Sequence, residues 1–456
     1  MKIAVLLKYF RGEPGPFDAA ALECALECGG EITVVSMAPP SVVPALEGLT
    51  RLGARAILIT DPAFAGSDTQ ATSYILAEVI RKISPDVIFA GRQSIDGDTS
   101  QVPPMLAQRL GYDILPGVMN FHSNGEVETR SGIQATLTPK TIYTFERIRA
   151  LRFPSIFSKK GTVEVWSNAR LSLDLSLCGA PGSPTRVLRS YESAVGRRDC
   201  QFADLSQLDA LIKAGISQSK QKADTPSESK TPTIYYIGDI REIAERYAEE
   251  AIPLDASRLS AQELAEKLRA LDARVVLFES REDYKILAAK TAVLTGAGIC
   301  ADCVSFRQEN GVFVMTRPAL GGNVTADIAS SSDMSFATVR PSKCADGDIV
   351  FSVGKGAVEY LDSIKELARA YGAELACTRT VTDSGVMPYE NQVGLTGKML
   401  SPRVYVAFGI SGAVQHTCAI SGAGVVISIN RDKDARIFDY SDYGIVTDLK
   451  NLFEET

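Results

Sequence analysis

Short apolar runs, mostly β-branched, alternate along the chain with longer stretches whose apolar positions recur every three or four residues. Lys2–Leu7, Glu31–Met37, Ala56–Ile59 and Val87–Ala90 are nearly continuous apolar runs, which predicts strands buried on both faces. Between and after them, helices are predicted at Asp18–Glu27, Ser41–Leu52, Thr69–Lys82 and Gln101–Leu110. Such alternation with short loops predicts a parallel sheet covered by helices on both faces. Gly53 and Gly111 stand where helix C-caps are expected, and Ser84-Pro85-Asp86 is a turn leading into the strand VIFAG. The pattern then weakens. Phe121–Thr162 reads as a small antiparallel ribbon, containing QATLTPKTIYTF and a turn at Ser123-Asn124-Gly125. Leu205–Ala214 reads as a short helix that packs elsewhere.

Residues 216–233, ISQSKQKADTPSESKTPT, are polar and carry two prolines, a linker by composition. A fresh strand, Thr233–Ile237, follows, with helices at Ile240–Glu250, Ala261–Ala270 and Tyr284–Thr295 and a strand at Val275–Glu279. In the last part, Arg403–Phe408, Val425–Ile429 and a shorter run before Thr378 are each followed by small or polar residues. That is the pattern of parallel strands whose C-terminal ends open into ligand-binding loops. Their Gly, Ser, Thr, Asn, Asp and Gln residues offer N–H groups, hydroxyls and amides to phosphates and polar ring edges.

A length of 456 residues allows two or three domains. The net charge of −7 gives no basic field for nucleic acid or anionic lipid. No apolar run reaches the length of a membrane span, and MKIAVLLKYFRG reads as a first strand rather than a signal peptide, so the expected location is cytoplasmic without membrane insertion. The nine cysteines include a single CxxC, Cys300–Cys303, with no histidine near it, so reduced thiols are expected and no metal. No Ser–His–Asp, Cys–His or paired-carboxylate arrangement points to a hydrolase.

Five segments, TRTVTDSG, QVGLTGK, GISGAVQH, SINRD and DYGIVTDL, occur in that order between Thr378 and Leu449. Together they resemble the FAD domain of the electron transfer flavoprotein α subunit. RPALGGNVTADI at 317–328 and ATVRP at 337–341 are similar to the N-terminal domain of the same subunit. The stretch before Val275 is shorter than the family has, so one strand–helix pair is expected to be missing. The first part resembles the β subunit, through the strand ending in Leu7-Lys8, PFDAAALE at 16–23, ITVVSMAP at 32–39 and AGRQSIDGDTSQVPPMLAQRLG at 90–111.

The resemblance implies an α/β fold of two parallel-sheet, nucleotide-hydrolase-like units, the α-like one shortened, plus a C-terminal Rossmann-like FAD-binding domain. The expected division is a β-like domain over 1–215, the linker 216–233, an α N-terminal-like domain over 234–340 and the FAD domain over 341–456. It further implies a redox carrier rather than an enzyme with its own small-molecule substrate. FAD would accept electrons from a flavin dehydrogenase, of the acyl-CoA type, and pass them to another redox protein. A bifurcating protein with a second FAD that oxidises NADH, and a non-redox nucleotide-binding module, are the alternatives.

By the same resemblance, Lys355, where the family has arginine, faces the FAD pyrophosphate. Thr378 and Arg379 lie near the redox edge of the flavin, where the Arg379 charge favours reduction. Gln392, Val393, Gly394, Leu395, Thr396, Gly397 and Lys398 form the loop over the ring system, with Leu395 replacing a glutamine. Ser411, Gly412, Ala413, Val414, Gln415 and His416 follow a strand and open a helix, with His416 expected to stabilise negative charge at the flavin pyrimidine. Asn430, Asp448 and Leu449, with Asp432 as a further neighbour, are on the adenosine and ribityl side.

A second nucleotide site is implied at Asp96, Asp98 and Gln101, but Val102-Pro103 replaces the family's Thr-Gly. Pro103 and Pro104 have no N–H to offer a phosphate, so one FAD per chain is expected, with AMP weak or absent and bifurcation disfavoured. The family's partner-docking segment, rich in Leu, Pro and Lys, is not reproduced over Ser158–Ser176.

Overall fold

The structure is a computed structural model and describes all residues except 11, 193–196, 219–229, 320–323, 341–347, 395–396 and 454–456. Contacts divide the chain into two compact units, residues 1–189 with 229–320 and 326–339, and residues 190–228 with 321–325 and 340–456.

In the first unit a nine-stranded sheet runs Val163–Trp166, Arg55–Ile59, Glu31–Met37, Lys2–Leu6, Val87–Gly91, Thr141–Phe145, Asp113–Phe121, Glu126–Thr129, Gln134–Thr136. The pairings are parallel as far as Asp113–Phe121 and antiparallel beyond it. Thr141–Phe145, expected in the ribbon, is instead an inner strand between Val87–Gly91 and Asp113–Phe121. All five of its residues are buried, and a strand covered on both faces shows no alternation. Apolar clusters fill both faces of the sheet, one around Leu22, Phe89 and Phe145, the other around Ile57, Ile75 and Ile88. Helix Thr69–Ile83 on the second face starts at Asp68, whose carboxylate accepts from the N–H groups of Gln70 and Ala71.

The same unit holds a five-stranded parallel sheet, ordered Ala248–Pro253, Thr231–Ile237, Val275–Glu279, Ser335–Val339, Gly298–Cys303. The helix expected over Ile240–Glu250 spans only Arg241–Tyr247, and Ala248–Pro253 is the edge strand. Proline at the end of that strand suits an edge, where no ladder partner needs its N–H. Helix Val102–Leu110 of the first sheet packs on helix Glu282–Thr295 of the second, with Met105 buried in the second sheet's core. Gln70 Nε2 donates to the carbonyls of Ala292, at 2.7 Å, and Ala297, at 3.1 Å.

The second unit is a six-stranded parallel sheet, ordered Gln201–Phe202, Tyr443–Val446, Val425–Asn430, Val404–Phe408, Ile349–Val353, Glu374–Cys377. Its first strand and the helix Leu208–Gln218 come from the stretch assigned by sequence to the β-like domain. Leu208 and Ile212 are buried among Val404, Val406 and Ile427. The contact division therefore falls at Arg189 rather than in the expected linker. Residues 219–229 of that linker lie outside the described residues, and its ends are regular structure, helix to Gln218 and strand from Thr231. Among the described residues, no helix is long and apolar enough to cross a membrane.

Candidate functional site

Because all strands of the second unit run parallel, their C-terminal ends share one edge of the sheet, and the loops named from the sequence gather there. After Ile349–Val353 comes exposed Lys355, at the start of a 3-10 turn. After Glu374–Cys377, Thr378 caps a short helix, Arg379–Asp383, and Arg379 Nε lies 3.3 Å from Asp383. After Val404–Phe408 the backbone turns through Gly409, at φ +59, and Gly412, at φ +87. A Cβ on Gly412 would stand 2.1 Å from the Ile437 nitrogen, so only glycine fits there. Ser411, Ala413 and Gln415 are exposed, and Gly412 and Val414 are buried. Among the described residues, no acceptor takes the N–H groups of Ser411, Gly412 and Ala413. The helix behind them is only Val414–Thr417, so these N–H groups rather than a helix dipole attract an anion.

Asn430 ends the strand Val425–Asn430, and Asp448 and Leu449 follow Tyr443–Val446. Asn430 Nδ2 donates to the Ile410 carbonyl at 2.9 Å and its Oδ1 accepts from Asp432 N at 3.0 Å, so this amide fastens two neighbouring loops. Asp448 is exposed, with one oxygen accepting from Lys450 N, and Leu449 is buried. Leu395 and Thr396 lie outside the described residues.

The rest of the 392–398 loop is tightly held. Val393 N donates to the Cys377 carbonyl, Lys398 N to the Gln392 carbonyl and Thr382 Oγ1 to Gln392 Oε1. Arg340 donates to the carbonyls of Gly394, at 3.4 Å, and Gly397, at 3.3 Å. Nothing in the motif pointed to Arg340, although an arginine ending the buried strand Ser335–Val339 was a signal to follow.

His416 lies inside the protein, with Nε2 2.8 Å from Tyr405 Oη and Nδ1 3.1 Å from the Val393 carbonyl. Burial pushes its pKa down to about 4. The ring is therefore neutral, with each nitrogen within hydrogen-bond distance of a protein atom.

The second candidate site is a cavity of about 650 Å³ in the first unit, at the C-terminal ends of Lys2–Leu6, Glu31–Met37, Arg55–Ile59 and Val87–Gly91. Lys8, Asp18, Arg92 and Gln101 line it, whereas Asp96 and Asp98 do not. Asp96 is paired with Lys8 at 2.6 Å, and Asp98 accepts from Gln93 Nε2 at 2.9 Å. Arg317, on strand Val312–Ala319, donates to the Gly97 and Asp98 carbonyls, at 2.5 and 3.2 Å. Asp18 accepts from the N–H groups of Lys8 and Gly91, and desolvation raises its pKa to about 7. Arg92 Nε lies 2.8 Å from Glu146 Oε1, out of hydrogen-bond alignment, and among the described residues Arg92 Nη2 has no partner. Gln101 is buried and its Nε2 also has none.

Compared with known proteins, residues 5–148 and 238–364, more than half of the chain, match the electron transfer flavoprotein domain. Residues 343–421 match the electron transfer flavoprotein FAD-binding domain. The chain belongs to the electron transfer flavoprotein family. Protein FixA of Azorhizobium caulinodans is 39% identical over 225 residues, covering 43% of this chain and 80% of that protein. The electron transfer flavoprotein subunit alpha of Thermoanaerobacterium thermosaccharolyticum is 31% identical over 235 residues, covering 41% of this chain and 71% of that protein. The subunit beta of Clostridium acetobutylicum is 36% identical over 198 residues, covering 40% of this chain and 76% of that protein. Both kinds of electron transfer flavoprotein subunit are thus joined in this one chain, and its cofactor is FAD. The second unit fits that cofactor: a glycine-only turn presents unclaimed N–H groups at the strand ends, where a dinucleotide's phosphates sit in such folds.

Sequence reasoning also missed a surface feature. Phe153, Ile156 and Phe157 are 96%, 85% and 88% exposed, just before Lys159 and Lys160. The signal was an apolar run, FPSIF, that follows neither a strand nor a helix period.

Proposed function

We propose that this chain carries electrons between two proteins through one FAD held by the second unit. The observation that carries this reading is the set of unclaimed N–H groups at Ser411, Gly412 and Ala413, within the segment that matches the FAD-binding domain. When bound, FAD supplies the redox chemistry, and the protein supplies orientation and electrostatics. Ser411–Ala413 and the Lys355 ammonium hold the pyrophosphate. Lys keeps the charge of the family's arginine but loses its bidentate fork. Arg379 sets a fixed positive charge near the ring system and favours its reduced state. Gln392–Lys398 covers the ring and keeps water from it, while Asn430 and Asp448 orient the adenosine and ribityl side.

The electron donor in this reading is a flavin dehydrogenase of the acyl-CoA type. The docking element is the exposed Phe153, Ile156 and Phe157 segment with its adjoining lysines, since a cluster of large apolar side chains in water marks a protein-binding surface. The test mixes the purified chain with substrate-reduced acyl-CoA dehydrogenase and follows bleaching of the flavin absorbance. Reduction is expected, slowed at least about tenfold by replacing all three side chains with serine, on the usual scale of interface hot spots. Reduction by NADH alone, with none by the dehydrogenase, would turn the reading towards bifurcation.

A second reading concerns the 650 Å³ cavity, as a site for a small nucleotide. Two donors without partners, Arg92 Nη2 and Gln101 Nε2, favour it, because such groups cost stability until an acceptor arrives. Pro103 and Pro104 remove two N–H groups from the first turn of helix Val102–Leu110, so binding there is weak. Titration with AMP tests it, and no saturable binding at millimolar concentrations would dismiss the site.

A further inference from the structure

Val404–Phe408 is an inner strand with every side chain buried, and one of its five residues is a tyrosine. A phenol in such a place needs a hydrogen-bond partner. Tyr405 Oη finds it in His416 Nε2 at 2.8 Å, and His416 Nδ1 in turn lies 3.1 Å from the Val393 carbonyl. The direction of both bonds follows from chemistry. A carbonyl oxygen only accepts, so Nδ1 carries the hydrogen. Among the described residues no carboxylate pairs with the ring, and burial disfavours an imidazolium, so Nε2 is bare. Tyr405, whose own ionisation burial pushes upward, therefore donates to it. The other titratable groups nearby are Cys377, which interacts with Tyr405, and Cys418, two residues after His416, which interacts with Arg340. Arg340 is occupied with the Gly394 and Gly397 carbonyls.

We infer that Tyr405 is a positioning residue that holds His416 as the neutral Nδ1–H tautomer and, through it, fastens the 392–398 loop at the Val393 carbonyl. Together with Arg340, which donates to the Gly394 and Gly397 carbonyls, this pins the loop at Val393, Gly394 and Gly397. The consequence for the flavin rests on the reading that this loop covers the ring system. The tautomer does not.

The chain has only two histidines, His122 and His416, so full-length, FAD-loaded protein labelled with ¹⁵N-histidine yields two ring systems, and His122→Gln assigns them. The expected His416 spectrum has one protonated nitrogen, Nδ1, and does not change between about pH 5.5 and 8.5, the range where an ordinary imidazole titrates. Tyr405→Phe, of nearly the same shape, should shift the Nε2 resonance by removing its donor. It should also speed FAD release about tenfold, the scale set by one buried acceptor left unpaired. An Nε2–H tautomer, titration of His416 in that range, or an Nε2 resonance unmoved in Tyr405→Phe would overturn the inference. The wild-type spectrum decides even where Tyr405→Phe does not fold. A correct tautomer in a protein that holds no FAD would count against the proposed function and leave the Tyr405–His416 pair standing.

Discussion

Gly412→Ala is the substitution whose cost is most directly worked from the geometry. At φ +87 the new Cβ meets Ile437 N at 2.1 Å, the Arg436 carbonyl carbon at 2.5 Å and Ile437 Cα at 2.6 Å, all backbone atoms without a rotamer to give way. A left-handed backbone costs an L side chain about 1–2 kcal/mol, and overpacking adds about 1–3 kcal/mol, for about 2–5 kcal/mol together. Gly372→Ala, at φ +62 with nothing within 4 Å of its Cβ, carries only the first part and is the control. The overlap is relieved only if the 411–415 loop moves away from residues 436–437, which carries the N–H groups of Ser411–Ala413 with it. Gly412→Ala should therefore weaken FAD binding about 30-fold or more, at 1.4 kcal/mol per factor of ten. Gly372→Ala should lose stability but keep its affinity. Fluorescence titration of the flavin-stripped proteins measures both. Equal FAD affinity in the two variants would refute the placement of the phosphates at this turn.

Arg379→Ala should lower the flavin midpoint potential by the equivalent of about 1–3 kcal/mol, the worth of a nearby charge in a half-dry pocket, and an unshifted potential in a reductive titration sinks its assigned role. Asn430→Ala with Asp448→Ala should release FAD, because the first change frees the Ile410 and Asp432 loops together; a double variant purified at full FAD occupancy speaks against it. Asp18 supplies a pH signature. Its folded pKa of about 7 lies above the ordinary 3.8, so the folded chain binds this proton more tightly than the unfolded one. Its contribution is full below about pH 4 and declines by up to about 4 kcal/mol as pH rises to 7, so wild type should lose stability relative to Asp18→Ala over that interval in denaturant titrations; a pH-independent difference contradicts it.

The buried parallel strands were legible because continuous apolar runs such as VYVAF and VVISI have one reading once helical repeats flank them. The strand-end loops followed from the direction of those strands. What the sequence hid depends on distant pairing. Thr141–Phe145, with two threonines among its five residues, passes for a hairpin strand, and only its neighbours Val87–Gly91 and Asp113–Phe121 make it an inner one. The Gln201–Phe202 strand is two residues pairing with Tyr443 and Gly444, too short for any periodicity, yet it carries residues 190–218 to the second unit. His416 was recognisable as important from GISGAVQH. Its charge state was not, because the burial that keeps the ring neutral arises only once the strand of Tyr405 and the loop of Val393 close around it.

The central claim, one FAD per chain held by the second unit, is tested most directly by extracting the purified full-length protein and quantifying the released nucleotides by chromatography against protein concentration. The account predicts a yellow protein that releases one FAD per chain and no second flavin. A colourless protein without FAD, or two FAD per chain, would contradict it.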